Sequence, residues 1–393
     1  MGRTVTLVLV DADGGMLGAL PPFDVDVPWW QEVGDVVDAA RARHGIGIQV
    51  LRLLHADGTH PPGGHVTYLA QTGDRPPHGL TPVDADLSPQ PNRAPYAEPG
   101  GPAASATWAV QTLAALGTPG AVAVQQRTWN LSAIWRLDVE GAPVAWLKQV
   151  PAFFAHEAAV VGLVAGVAPG MAPPLLAAGP DGRMLLAHAP GEDRYGADAE
   201  FRALVAGDVH PVQAHFAGRA GSLLAAGVPD RRDLGPWLTA AAEPYRDQIP
   251  GVADLLDRLP ERLTAVAACG MPDTLVHGDL HPGNVRSDGT ARVLMDWGDA
   301  TVGLPALDIL RLTGDLPDAD AGPLIAAWAQ RWRSTAPGCD PERAVDLMRP
   351  VAALFGAAVY AGFLARIEPS EWPYHADDVP ASLTAAVTAA RRP

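Results

Sequence analysis

The chain has 393 residues, of which 48% are hydrophobic and 18% charged, with a formal net charge of −16 at pH 7. That length allows two or three domains with real cores, and the acidic balance argues against a nucleic-acid binder, which needs basic patches to neutralise phosphates. Cys269 and Cys339 lie far apart without metal-type spacing, and no apolar run reads as long enough to span a membrane, so reduced core thiols in a cytoplasmic protein are expected.

Residues 3–20 (RTVTLVLVDADGGMLGAL) alternate β-branched and polar side chains and predict a strand, a turn at Asp13-Gly14-Gly15 and a second strand. Val33, Val36, Val37 and Ala40 recur at helical spacing, with Gly45 as the stop. IQVLRLL (48–54) and HVTYLAQ (65–71) read as strands. A Pro-rich stretch from Asp74 to about Ala104 has many breakers and little periodicity, which predicts a linker. A helix over SATWAVQTLAALG (105–117) then precedes two or three strands over 122–150. A turn at Glu140-Gly141 makes residues 132–139 and 144–150 a hairpin. After a helix over FFAHEAAVVGLVAGV (153–167), two strands flank Pro180-Asp181-Gly182. From about Gly191 the pattern is mainly helical, interrupted by residues 273–309.

Lys and Arg together number 28, and only Lys148 is a lysine. A coding bias towards arginine accounts for the other 27; the exception is either a chance survivor of that bias or a residue with a job arginine cannot do. An ammonium is a compact point charge, a guanidinium a planar fork, and nucleotide phosphates are one target that suits the former.

The chemistry concentrates in HGDLHPGNV (277–285) and VLMDWGD (293–299). Asp279 and Asn284 stand five positions apart in a tight Pro-Gly loop. Asp279 can take the proton of an attacking hydroxyl, and the Asn284 amide oxygen can hold a cation. Asp296, at the end of an apolar strand, can hold the same or a second cation. Mg²⁺ suits such sparse oxygen ligation, completed by phosphates and water. A base, metal holders and a phosphate-gripping lysine form a phosphoryl-transfer set.

HGDLHPGN, DW and GLPALDI, which ends on Asp308 and Ile309, resemble the signature of aminoglycoside phosphotransferases and related small-molecule kinases, in order, over roughly residues 105–393. The Asp279–Asn284 spacing equals that of the kinase loop H-R-D-L-x-x-x-N, and Asp-Trp-Gly stands in place of Asp-Phe-Gly. The resemblance implies an α+β fold: a bilobal protein-kinase-like unit, with a small nucleotide-binding lobe at 105–190 and a helical catalytic and acceptor lobe at 191–393. It implies ATP or GTP as co-substrate, with Mg²⁺. Lys148 would grip the phosphates, steadied by Glu157 on the next helix. Ser132, with Asn130, would face the phosphates, and backbone near His188 and Ala189 would meet the adenine. Asp308 would brace the catalytic loop, and His277 and His281 would support it structurally. His156 reads as an ordinary exposed neighbour of Glu157.

Asp296 and Asp308 are twelve residues apart, too close for a protein kinase's activation segment, so a small hydroxylated acceptor is expected. The resemblance allows aminoglycosides, other antibiotics, amino alcohols and sugars. Asp315, Asp318, Asp320, Glu368, Glu371, Asp377 and Asp378 would suit a cationic one, although solvated loops account for most of them. Trp372 and Tyr374 read as either a stacking platform or packing anchors. Residues 1–90 faintly resemble a small α/β Nudix-type hydrolase domain, joined through a linker at 91–104. Ala39, Ala42 and Arg43 occupy the places of that motif's glutamates, so no pyrophosphohydrolase activity is expected. An autonomous kinase unit would survive deletion of residues 1–100. The rival readings are a metabolic sugar or amino-alcohol kinase, a catalytically silent kinase-like binding protein, and a Nudix-type nucleotide hydrolase. No nucleic-acid or membrane partner is expected, and the oligomeric state is not legible.

Overall fold

A computed structural model describes residues 2–75 and 79–391; Pro76, Pro77 and His78 of the Pro-rich stretch lie outside the described residues. The chain divides into two compact units. One comprises Met1–Ala155, Leu175–His188 and Phe363–Asp377, the other His156–Pro174, Ala189–Gly362 and Asp378–Pro393.

The first unit opens with β1 (Arg3–Val10), β2 (Met16–Ala19), β3 (Phe23–Val25), α1 (Gly34–His44), β4 (Ile48–Ala56) and β5 (His65–Thr72). β1 runs parallel to β5 and antiparallel to β2 and β3, and β4 closes the sheet antiparallel to β5. Alternation sends successive residues of β1 to opposite faces. Val5, Leu7 and Leu9 join Val36, Ala40 and Tyr68 in one core, while Val8 and Val10 join Leu51 and Leu69 in another. Gly45 stops α1 at φ 69°, its N–H bonded to the Arg41 carbonyl.

Next come α2 (Gly101–Ala115), β6 (Val122–Trp129), β7 (Ser132–Val139), β8 (Ala142–Gln149), β9 (Leu175–Ala178) and β10 (Arg183–Ala187). These strands form an antiparallel sheet in the order β6-β7-β8-β10-β9. Glu140 and Gly141, both at positive φ, make the tight hairpin turn that twisted strands prefer. Ala109, Leu113, Trp135, Leu137, Leu147 and Leu185 form its core.

The later part of the stretch expected to be a linker, from Arg93 to Ala97, is packed against this core. Ala94, Tyr96 and Ala97 belong to it, and the Arg93 side chain is buried on the Glu368 carboxylate. Proline forbids regular structure here without forbidding burial. The two sheets are also stitched together. The Gln125 carboxamide accepts from Val50 N and donates to Val50 O, both at 2.8 Å, standing in for a strand neighbour. Val33 N bonds Gln126 O, Thr128 N bonds Gln31 O, and Arg127 pairs with Glu32. A neutral deletion of residues 1–100 is at odds with this stitching.

The second unit contains α3 (Glu157–Val167), β11 (Glu192–Asp193), α4 (Ala199–Phe216), α5 (Ala220–Ala225), α6 (Gly235–Ala242), α7 (Val252–Ala268) and β12 (Thr274–Val276). β13 (Val285–Ser287), β14 (Arg292–Leu294), β15 (Thr301–Gly303), α8 (Ala306–Thr313), α9 (Asp318–Thr335), most of α10 (Pro341–Leu364) and α11 (Asp378–Ala390) follow. β12 pairs with β15, and β13 with β11 and β14, so two small sheets hold the ends of the loop at 277–284. Contrary to the sequence-based expectation, α10 is long and apolar enough to cross a membrane by length and composition. Its Ala344, Val345, Met348, Val351 and Leu354 are buried in protein, as in a core helix.

Candidate active site

The catalytic loop leaves β12 through His277 and Gly278. Gly278 sits at φ +85°, and a Cβ there would run into the Asp299 backbone, so only glycine fits. Asp308, in the first turn of α8, braces the loop as expected. Its Oδ2 accepts from His277 N (2.9 Å) and Gln213 Nε2 (2.8 Å), and its Oδ1 from Gly278 N (3.0 Å). Burial pushes the Asp308 carboxyl up to about 7, against three donors that favour the anion. His277 is buried and neutral. Its Nε2 lies 2.9 Å from the Met295 carbonyl while its Nδ1 accepts from Asp279 N, which places the ring proton on Nε2.

Three side chains converge on Asp279. Arg311 Nε donates to Oδ1 at 2.7 Å, Asn284 Nδ2 to Oδ2 at 3.1 Å, and His281 Nε2 lies 3.3 Å from Oδ2. The His281 Nδ1 accepts from Gly283 N, so its proton is on Nε2, facing the carboxylate. Burial alone would raise the Asp279 carboxyl. The His281 bond and the Arg311 charge outweigh it and hold the group well below the usual carboxylate range. The side chain is therefore an anion, fixed and ready to accept a hydrogen bond. His281, expected to pack beneath the loop, instead touches Asp279.

Asp296 occupies the left-handed region at φ 59° and ψ 66°, a costly conformation for a non-glycine residue that its neighbours enforce. Met295 N bonds Asn284 O at 2.8 Å, and Trp297 N bonds Glu157 Oε1 at 3.2 Å. The Trp297 ring packs 4.6 Å from His277. Glu157 is thus a buried tie between α3 and the Asp-Trp-Gly turn, not a surface glutamate. His156, expected to be exposed, is buried as well, and burial lowers its pKa.

With the Asn284 amide nitrogen spent on Asp279 O and Oδ2, its Oδ1 is turned the other way, the orientation a cation ligand needs. Among the described residues no three His, Cys, Asp or Glu gather as a metal cage. The donor set therefore fits a cation that keeps most of its shell as phosphate and water, as Mg²⁺ does.

Lys148, Ser132 and His188 belong to the first unit; Glu157, Ala189, Asp279, Asn284 and Asp296 to the second. Lys148 is buried on β8 between Ile134 of β7 and Met184 of β10. Ser132 is buried, its Oγ accepting from Trp129 Nε1 at 3.1 Å. His188 N donates to Val144 O and its Nδ1 accepts from Trp146 Nε1. The Ala189 carbonyl accepts from Arg286 Nε at 3.1 Å. These atoms are thus engaged within the protein.

Two residues escaped the sequence reading. Arg311 stands three positions after Asp308, so one helix face presents both to the loop; that i, i+3 spacing was its signal. Arg286 clamps the segment after the hinge through Ala189 O, Gly191 O and Asp193. Its only cue was a place on the strand after Asn284. Two expected acceptor carboxylates are withdrawn: Glu368 and Glu371 are buried in the first unit, Glu368 against Arg52 and Arg93. Tyr374 is a core residue, and Asp315 pairs with Arg202.

A model of APH, the phosphotransferase enzyme family, matches residues 149–345, just over half of the chain. Comparison with curated proteins gave no match. Among solved structures, the macrolide 2'-phosphotransferase MphH from Brachybacterium faecium aligns with a TM-score of 0.50 at 20% identity, covering 74% of this chain and 99% of its own. The GDP and kanamycin complex of APH(2")-IIia aligns with a TM-score of 0.50 at 16% identity, covering 72% and 98%. These likenesses show the protein-kinase-like α+β fold. The family match does not reach residues 1–90, and no finding supports a Nudix-type domain there. By the family match, the chain belongs to the phosphotransferase enzyme family and transfers a phosphoryl group from a nucleoside triphosphate to a hydroxyl group.

Proposed function

We propose that the chain is a small-molecule O-phosphotransferase that moves the γ-phosphoryl group of ATP or GTP to a hydroxyl of an aminoglycoside-like antibiotic, in the cytoplasm. The observation that carries this reading is the Asp279 carboxylate, held by Arg311, Asn284 and His281. Asp279 orients the acceptor hydroxyl and takes its proton as the new P–O bond forms. Asn284 and Asp296 would hold Mg²⁺, which would supply charge neutralisation for the transferring phosphoryl group. Lys148, steadied by Glu157, binds the phosphates. The Ser132 hydroxyl proton faces a phosphate oxygen, and backbone of His188–Ala189 outside the bonds above meets the base. Rate enhancement comes from positioning and fixed charge. In this division of labour residues 105–190 bind nucleotide and 191–393 carry catalysis and acceptor binding.

The solved structures aligned above include a kanamycin complex and a macrolide 2'-phosphotransferase, which supports an antibiotic acceptor. A metabolic sugar or amino-alcohol kinase is the second reading. The Arg311 cation on the base and the burial of Glu368 and Glu371 favour it, because both weaken the case for a polycation. The test is a nucleotide-consumption screen with Mg²⁺ over aminoglycosides, macrolides, sugars and amino alcohols, blanked by Asp279→Ala. Turnover with an antibiotic alone supports the first reading, turnover with a sugar or amino alcohol alone the second. Silence across the panel while nucleotide binds counts against both.

A further inference from the structure

We propose that residues 368–375 form a positioning clasp for the nucleotide, holding the hairpin tip at 129–132 from a part of the chain outside the family match; this rests on the assignment of that tip to the phosphates. The match ends at residue 345, and the chain rejoins the first unit as Phe363–Asp377.

The clasp is a 3-10 segment, Pro369–Tyr374, with one side in the amino-terminal sheet. Glu371 Oε1 accepts from Leu53 N of β4 at 3.2 Å, covering an edge-strand donor. Tyr374 enters the core of that sheet, its ring 5.6 Å from Trp30. The other side grips the tip. The Trp129 ring packs against Tyr374 at 5.6 Å and His375 at 5.5 Å. His375 Nε2 lies 2.9 Å from Asn130 Oδ1. From a third direction Tyr96 Oη donates to the Trp129 carbonyl at 2.9 Å, and Trp129 Nε1 donates to Ser132. Asn130, expected to face phosphate, is buried with its carboxamide oxygen on His375.

A hairpin tip left to itself samples many conformations, and ordering it on binding costs affinity. Here Trp129 and Asn130 are fixed beforehand by segments from both ends of the chain, and Trp129 in turn holds Ser132. His375 and Asn130 are positioning residues: they act on the nucleotide through the tip.

The test uses the full-length protein and measures binding of AMP-PNP with Mg²⁺ by calorimetry, beside thermal unfolding. His375→Ala is expected to raise the Kd about fivefold to tenfold, the worth of a buried hydrogen bond and ring contact. His375→Gln, which can still donate to Asn130, restores most of the affinity. Asn130→Ala with His375→Ala binds no worse than His375→Ala alone, because the hydrogen bond is already lost there. A Kd within about twofold of wild type for folded His375→Ala overturns the clasp, as does equal weakening in His375→Gln. If His375→Ala does not fold, Asn130→Ala decides: the same weakening supports the clasp and an unchanged Kd overturns it. Lys148→Ala separates the two readings. Unchanged binding there sinks the nucleotide-site assignment itself, whereas weakened binding there with unchanged clasp variants sinks only the clasp.

Discussion

The catalytic loop and the tip at 129–132 are both short turns crowded with polar groups, and they are held in opposite ways. The loop's main fixed partners come from the 35 residues that begin at His277: Asp308 holds its amides, the Met295 carbonyl accepts from the His277 ring, and Arg311 and Asn284 hold Asp279. Gln213 and Tyr195 are distant exceptions. The tip is held by Tyr96, Tyr374 and His375, from 33 to 245 positions away. Chemistry that needs a fixed backbone shape is written locally and survives as a motif. A brace needs only some polar or aromatic group at the right place in space, and many sequences supply it.

The comparison can be broken most severely by deleting residues 1–90. Loss of β4 strands the Gln125 carboxamide and the carbonyls stitched to it, so the small-lobe sheet is expected to lose its cooperative unfolding transition, measured by calorimetry. A deletion variant that unfolds cooperatively near the wild-type temperature would show the stitching to be dispensable. Asp308→Asn tests the local side. An amide keeps one acceptor but turns a donor towards the loop amides, and kcat is expected to fall about 100-fold, in the range for a misplaced catalytic group. Little change in kcat would mean the loop holds itself.

Lys148→Arg sharpens the nucleotide side. Charge is kept, but a planar fork replaces a point charge at a buried strand position, so nucleotide affinity is expected to drop about tenfold by titration. Wild-type affinity would return Lys148 to coding bias. The smallest effect belongs to Glu371. Burial, with like-charge repulsion from Glu368, pushes its carboxyl up to about 8. The folded chain then keeps a proton that the unfolded chain has lost between pH 4.5 and about 8, so stability falls as pH rises through that window. Glu371→Gln should flatten this slope and melt higher than wild type above pH 8. Parallel melting-temperature curves across that window would show that Glu371 does not carry it.

The sequence made the strands, the hairpin at Glu140-Gly141 and the α1 stop at Gly45 legible, because each rests on period or on positive φ. The loop and turn on which Asp279, Asn284 and Asp296 stand were legible for the same local reason. Arg311 could have been read from its helical spacing to Asp308. The stitching of the Gln125 side chain to the Val50 backbone and of Arg93 to Glu368 had no such signal: it joins residues 75 and 275 positions apart, each unremarkable in its own neighbourhood. The Pro-rich stretch misled because composition reports the absence of regular structure, and burial is a separate matter.

The central claim is that Asp279 is the base of a phosphoryl transfer. Once the screen has named an acceptor, the most direct test compares kcat and nucleotide Kd of wild type and Asp279→Ala. We predict a fall in kcat of about 1,000-fold with the Kd within about twofold, since the carboxylate acts on the acceptor hydroxyl and not on the nucleotide. A loss below about tenfold in kcat would contradict the assignment.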